Sequence, residues 1–136
     1  MPRVSADGKS VYYYWFHNKT DPSIHKIPIE GGEEELVLPL PKGIGAWPSG
    51  TGPTEWTLGE RGIYFIDWGA RPRAAIKRFS FETREITPLG DISKERRYPQ
   101  FFGPGRRLGV SPDEQWLLYV QYDQSGSDIM LVENFR

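Results

Sequence analysis

Cysteine is absent from this chain, and histidine occurs only twice, at His17 and His25. No disulfide framework can form, and a structural zinc site of about four thiolate or imidazole ligands has no donor set. An excess of one charge is missing as well. Lys+Arg number 17 against Asp+Glu 18, so neither the basic footprint of a nucleic-acid binder nor an acidic tail is present, and nucleic acid is not an expected partner. Long apolar runs are lacking too. None approaches the roughly 20 residues of a membrane span, and Met1 to Lys9 has no stretch of signal-peptide length. No membrane contact is expected of this segment, and any export signal or anchor is expected outside it. Helical periodicity is scarce: only Ile92 to Arg97 has room for a turn or so of helix.

Turn formers and bulky rings are abundant instead. Gly 15, Pro 12 and an aromatic content of 14% combine frequent chain reversals with residues that pack on pleated surfaces, the mixture expected of all-β architecture. The 136 residues suit one modest domain.

The chain aligns with itself at a period of about 53 residues. Ser10-Val11-Tyr12-Tyr13-Tyr14 matches Gly62-Ile63-Tyr64-Phe65-Ile66 and Trp116-Leu117-Leu118-Tyr119-Val120. Downstream, Ile24 to Ile29 matches Ile76 to Phe81 and Ile129 to Asn134. Before the first and third copies stand the turns Ser5-Ala6-Asp7-Gly8 and Ser111-Pro112-Asp113-Glu114, replaced in the middle copy by Leu58 to Gly62. Each unit therefore predicts a short strand, a tight turn, a continuously apolar second strand buried on both faces, an alternating third strand and a polar fourth strand. The fourth strands are expected at Glu33 to Leu38 and Arg84 to Thr87. Pro28 removes an N–H from a third strand and is expected at a bulge or past the paired region. Four short antiparallel strands at a fixed period describe a propeller blade. The expected fold is all-β: a partial β-propeller of three four-stranded antiparallel blades, at about 2–41, 54–90 and 106–136, the last lacking its outer strand. An immunoglobulin-like sandwich, the rival, does not predict internal repetition.

The Ser-x-Asp-Gly or Ser-Pro-Asp turn, the Val11-Tyr12-Tyr13 and Leu117-Leu118-Tyr119 strands and the stretch Lys26-Ile27-Pro28-Ile29-Glu30-Gly31-Gly32 resemble the TolB-like, WD-repeat-like propellers of bacterial proteins. The resemblance covers nearly the whole chain, and Leu108 to Arg136 looks like the C-terminal end of large acidobacterial-type propeller proteins. It implies a periplasmic or extracytoplasmic setting within a longer protein, and a role as sensor or scaffold. In such proteins the propeller often follows a winged-helix or protein-kinase domain and a membrane span, none of which is in this sequence.

Propellers close with about four to eight blades. Three leave inter-blade faces bare, so the expected partners include either the remaining blades of a parent chain or a second copy, giving a six-bladed homodimer.

No constellation for chemistry stands out. Gly8-Lys9-Ser10 resembles the end of a phosphate-binding loop, but Arg3 occupies the position of the earlier glycine. No serine sits in a Gly-x-Ser-x-Gly frame. Asp123 to Asp128 lacks the later Glu of a calcium loop. No enzyme activity, cofactor or metal is therefore expected, and function is expected on surfaces. Second-to-third-strand loops and fourth-to-first-strand linkers share one face in this reading. That face carries Trp47, Trp56, Trp68, Arg71, Arg73, Tyr98, Phe101, Phe102, Arg106 and Arg107. Aromatics interleaved with arginines suit a protein partner or an anionic small ligand, since rings give rigid contact area and guanidinium groups give forked hydrogen bonds; packing of the linkers against their blades accounts for the rings as well. The alternative reading from a different class is a propeller that accompanies a hydrolase, as the gating propeller does in prolyl oligopeptidases.

Overall fold

The computed structural model describes residues 2–15, 22–40, 56–67, 70, 72–92 and 108–119, and the backbone of 16, 17 and 21. Among them there is no helix. Ten strands form three antiparallel sheets. The first sheet runs β1 (Arg3–Val4), β2 (Ser10–His17), β3 (Asp21–Pro28), β4 (Glu35–Pro39) in that spatial order. The second repeats the meander as β5 (Trp56–Leu58), β6 (Gly62–Asp67), β7 (Ala75–Ser80), β8 (Ile86–Asp91). The third shows β9 (Leu108–Val110) paired with β10 (Leu117–Tyr119). Its expected third strand, Ile129 to Asn134, lies outside the described residues.

Equivalent registers recur from sheet to sheet. Arg3 faces Tyr12, Thr57 faces Tyr64 and Gly109 faces Leu118, while Val4, Leu58 and Val110 face Val11, Ile63 and Leu117. The third-to-fourth-strand pairing slips between Ile24 and His25 and again between Ile76 and Lys77. A bulge of this kind adds one residue to one strand and turns its side chains. It lets Val37 and Leu38, neighbours in sequence, both enter the core.

Alternation on β6 explains the packing. Ile63 and Phe65 point toward the first sheet and join Tyr12, Ile24, Val37, Leu38, Leu40, Trp56 and Phe79 in one core. Tyr64 and Ile66 point the other way and join Ile76, Ile92 and Leu108 in a second. Ile24, Ile63 and Phe65 are fully buried, and burial of such a side chain contributes about 1.5–3 kcal/mol. The three sheets are thus stacked, the second between the other two.

The structure departs from expectation where this sandwiching acts. A second strand buried on both faces is realised in β6, all of whose residues are buried, but not in β2 or β10. Among the described residues only the middle sheet has a neighbour on each side. The fourth strands begin two residues late, at Glu35 and Ile86, because positive φ at Gly31, Gly32 and Arg84 prolongs the preceding turns. Pro28 is the last residue of β3, paired with Ser10 but beyond the last β3–β4 pair, so no partner strand asks for its missing N–H. The bulge lies elsewhere, at Ile24. Ile92, the first residue of the stretch with room for a helical turn, is not helical: its N–H bonds Ala74 O at 2.8 Å and extends the sheet edge, while 93–97 lie outside the described residues.

Candidate functional site

Of the residues expected on the linker face, Trp47, Trp68, Arg71, Tyr98, Phe101, Phe102, Arg106 and Arg107 lie outside the described residues. Arg73 is exposed just before β7. Trp56 requires correction. As the first residue of β5 it faces the first sheet and is only 2% exposed, part of the core rather than of a surface. The Arg3 guanidinium covers its ring at 5.7 Å and donates to its carbonyl oxygen at 3.1 Å.

That Arg3 contact is one of several side-chain pins between the described sheets. Arg84, in the β7–β8 turn, reaches back to the first sheet, donating to Val37 O at 3.4 Å. Its guanidinium also lies 5.3 Å from the Phe79 ring centroid. Glu114, in the β9–β10 turn, reaches back to the second sheet. It accepts from the Arg61 N–H at 2.8 Å, from Arg61 Nε at 3.2 Å and from the Tyr64 hydroxyl at 2.9 Å. Burial pushes the Glu114 carboxyl up, but those donors outweigh it and hold the group below the usual glutamate range. Arg84 and Glu114 are also the two described non-glycine residues at positive φ, 61° and 55°. That conformation costs an L-residue about 1–2 kcal/mol, and in both cases it aims a long side chain across a sheet junction.

The turns carrying this geometry are built alike at opposite ends of the stack. Around β1–β2, Ser10 N donates to Ser5 Oγ at 2.9 Å, Lys9 N to Asp7 Oδ1 at 3.0 Å and Gly8 N to Ser5 O at 2.9 Å. Around β9–β10, Trp116 N donates to Ser111 Oγ at 3.0 Å, Gln115 N to Asp113 Oδ1 at 3.1 Å and Glu114 N to Ser111 O at 2.9 Å. Glu114 therefore occupies the place of Gly8. The middle turn is shorter, closed by Gly59 N on Gly62 O at 2.9 Å, and the Glu114 carboxylate fills the space above it.

Two sheet faces have no neighbour among the described residues. On the third sheet, Leu118 is 72% exposed and Trp116 70%, although Tyr64 and Tyr12, which hold the register of Leu118, are 4% and 8% exposed. On the first sheet, Val4 is 56% exposed, whereas Leu58 and Val110 in its register are packed. Beside Val4 on that outer face stand Tyr13, Trp15, His25 and Leu36.

A polar chain orders this outer face. Ser23 Oγ and His25 Nε2 are 2.9 Å apart, His25 Nδ1 stands 2.6 Å from Glu34 Oε1, and the Tyr13 hydroxyl donates to Glu34 Oε2. The His25 ring also lies against Tyr13 and Trp15, at centroid distances of 6.0 and 6.3 Å. Bonding to Glu34 pushes the Tyr13 hydroxyl up to about 12, and the same bond holds the Glu34 carboxyl below its ordinary value. The order serine, histidine, carboxylate is that of a hydrolytic relay. Ser23, however, is 8% exposed in the body of a strand, and the His25–Glu34 approach is short but off the line of a ring N–H bond. The chain fixes the His25 ring between the Tyr13 and Trp15 rings on this face.

Sequence reasoning missed this face because the run Tyr12 to Trp15 reads as apolar throughout. The available signal was His25 opposite Tyr13, where the second sheet sets Lys77 opposite Phe65. No protein-family model matches this chain, and no curated protein matches it.

Proposed function

We propose that this chain is a non-catalytic interaction module, a run of three successive blades from an incomplete β-propeller that binds a protein or small ligand through exposed sheet and linker surfaces. The observation that carries this reading is the ordered outer face of the first sheet: Trp15 and Leu36, 45% and 50% exposed, beside rings held in place by the Tyr13, Glu34, His25 and Ser23 chain. Rigid exposed rings lose little freedom on binding, and aromatic residues dominate contact energetics at protein interfaces. The equivalent registers of the stacked sheets support the propeller reading, and the resemblance to TolB-like propellers supports a place in an extracytoplasmic scaffold or sensor.

The relay-like geometry makes the non-catalytic part testable. The protein is incubated with a fluorophosphonate probe and with activated esters, alongside Ser23→Ala. Neither labelling nor turnover that depends on Ser23 is expected. Labelling abolished by Ser23→Ala overturns the reading. For binding, capture of a partner by the protein is compared with capture by Trp15→Ala and by Arg73→Ala. Loss with either places the contact on the sheet face or on the linker face respectively, and capture unaffected by both removes these surfaces.

A further inference from the structure

We infer that the face of the third sheet left without a neighbour among the described residues seats on the corresponding bare face of the first sheet of a second copy, so that the chain associates head to tail; this rests on the interaction-module reading and names its partner. Each interior junction joins the same two kinds of face. One face carries the side chains in the register of Tyr12 and Tyr64, and the next sheet covers it with those in the register of Leu58 and Val110. At the ends of the stack one face of each kind is left over: Leu118 continues the first kind, and Val4 begins the second. The two bare faces are therefore complementary to each other and neither is complementary to itself.

The turns favour a separate molecule as the occupant. In the second and third sheets a residue at positive φ, Arg84 or Glu114, reaches back to fasten the preceding sheet. In the first sheet the corresponding turns hold glycine, at Gly8, Gly31 and Gly32; a Cβ at Gly8 or Gly31 would meet nothing within 4 Å, and one at Gly32 only the ring of Pro28 in its own turn. The first sheet has no side chain at these places to fasten what covers it, as suits a junction formed by encounter. Head-to-tail contacts either close into a ring or run on as a filament. Two copies would bring together six sheets, within the roughly four to eight of closed propellers.

The experiment is sedimentation velocity and native mass spectrometry of the full chain across a broad concentration range. A particle of two copies is expected. Leu118→Asp and Val4→Asp each remove one of the two faces and leave monomers or weakened pairs, their β-sheet circular dichroism unchanged because both positions are exposed. Mixing the two variants restores a two-copy particle, since each retains the face the other lacks. A wild type that stays monomeric overturns the inference, as does dimerisation indifferent to Leu118→Asp, or a mixture that fails to pair. If Asp at either site unfolds the chain, Trp116→Ser and Trp15→Ser replace them and are read in the same way. A monomer that captures another protein through Trp15 ends the self-association while leaving the interaction module standing; labelling that depends on Ser23 ends the module whatever the mass.

Discussion

At the scale of single residues, Glu114 and Gly59 depend on each other. A Cβ at Gly59 would overlap Glu114 Oε1 and come within 2.9 Å of Tyr64 Cε2. Gly59→Ala is expected to destabilise by about 1–3 kcal/mol through overpacking. Glu114→Ala also destabilises, by leaving the Arg61 amide and Tyr64 hydroxyl without their acceptor. In the double variant the methyl no longer meets a carboxylate, so chemical denaturation should show a loss smaller than the sum. Acid reports the same carboxylate. Its folded pKa is depressed, so its stabilisation is complete above the unfolded glutamate value, about 4.3, and is lost as pH falls through the lower folded value. Glu114→Gln is expected to flatten that part of the stability profile, measured as the difference from wild type between pH 5 and pH 2. At Arg84, Ala keeps the positive φ and loses the pin, whereas Gly loses the pin and relieves the backbone. Arg84→Gly should therefore be the more stable of the two by about 1 kcal/mol in thermal melts.

At the scale of elements, one register position has different consequences in different sheets. Phe65 on β6 and Tyr13 on β2 correspond, but Phe65 is covered by the first sheet and Tyr13 stands on the outer face. Phe65→Ala should cost about 3–5 kcal/mol in denaturant titrations, and Tyr13→Ala a small fraction of that. Strand existence and order were legible from apolar runs separated by turn residues, continuous in Gly62 to Asp67 and more nearly alternating in Ala75 to Ser80. Strand ends were less so. The starts of β4 and β8 depend on turn backbone at Gly31, Gly32 and Arg84, and nothing in the residue type of Arg84 announces positive φ. The candidate surface was legible only in part, because Trp56 carries the same ring as an interface residue and only packing shows it inside.

At the scale of the whole molecule, stacking makes stability uneven. Among the described residues the middle sheet is covered on both faces, the others on one. Native-state hydrogen exchange should find the slowest amides on β6 and the β7 residues bonded to it, with faster exchange on β8, whose residues are all exposed, and on β10. If two copies associate, protection should rise at β2 and β10 with protein concentration and leave β6 unchanged.

What the amino-acid order determined by itself is local: where the chain turns, which stretches alternate, and that one strand pattern returns at a fixed spacing. These depend on each residue's own conformational preferences and on the two-residue period of a pleated strand. Which faces are covered, why Glu114 and Arg84 hold positive φ, and that Trp56 is core while Trp15 is surface were decided by the neighbouring sheet. Residues in one register, Tyr64 and Leu118, meet an apolar surface in the middle of the stack and none among the described residues at its end.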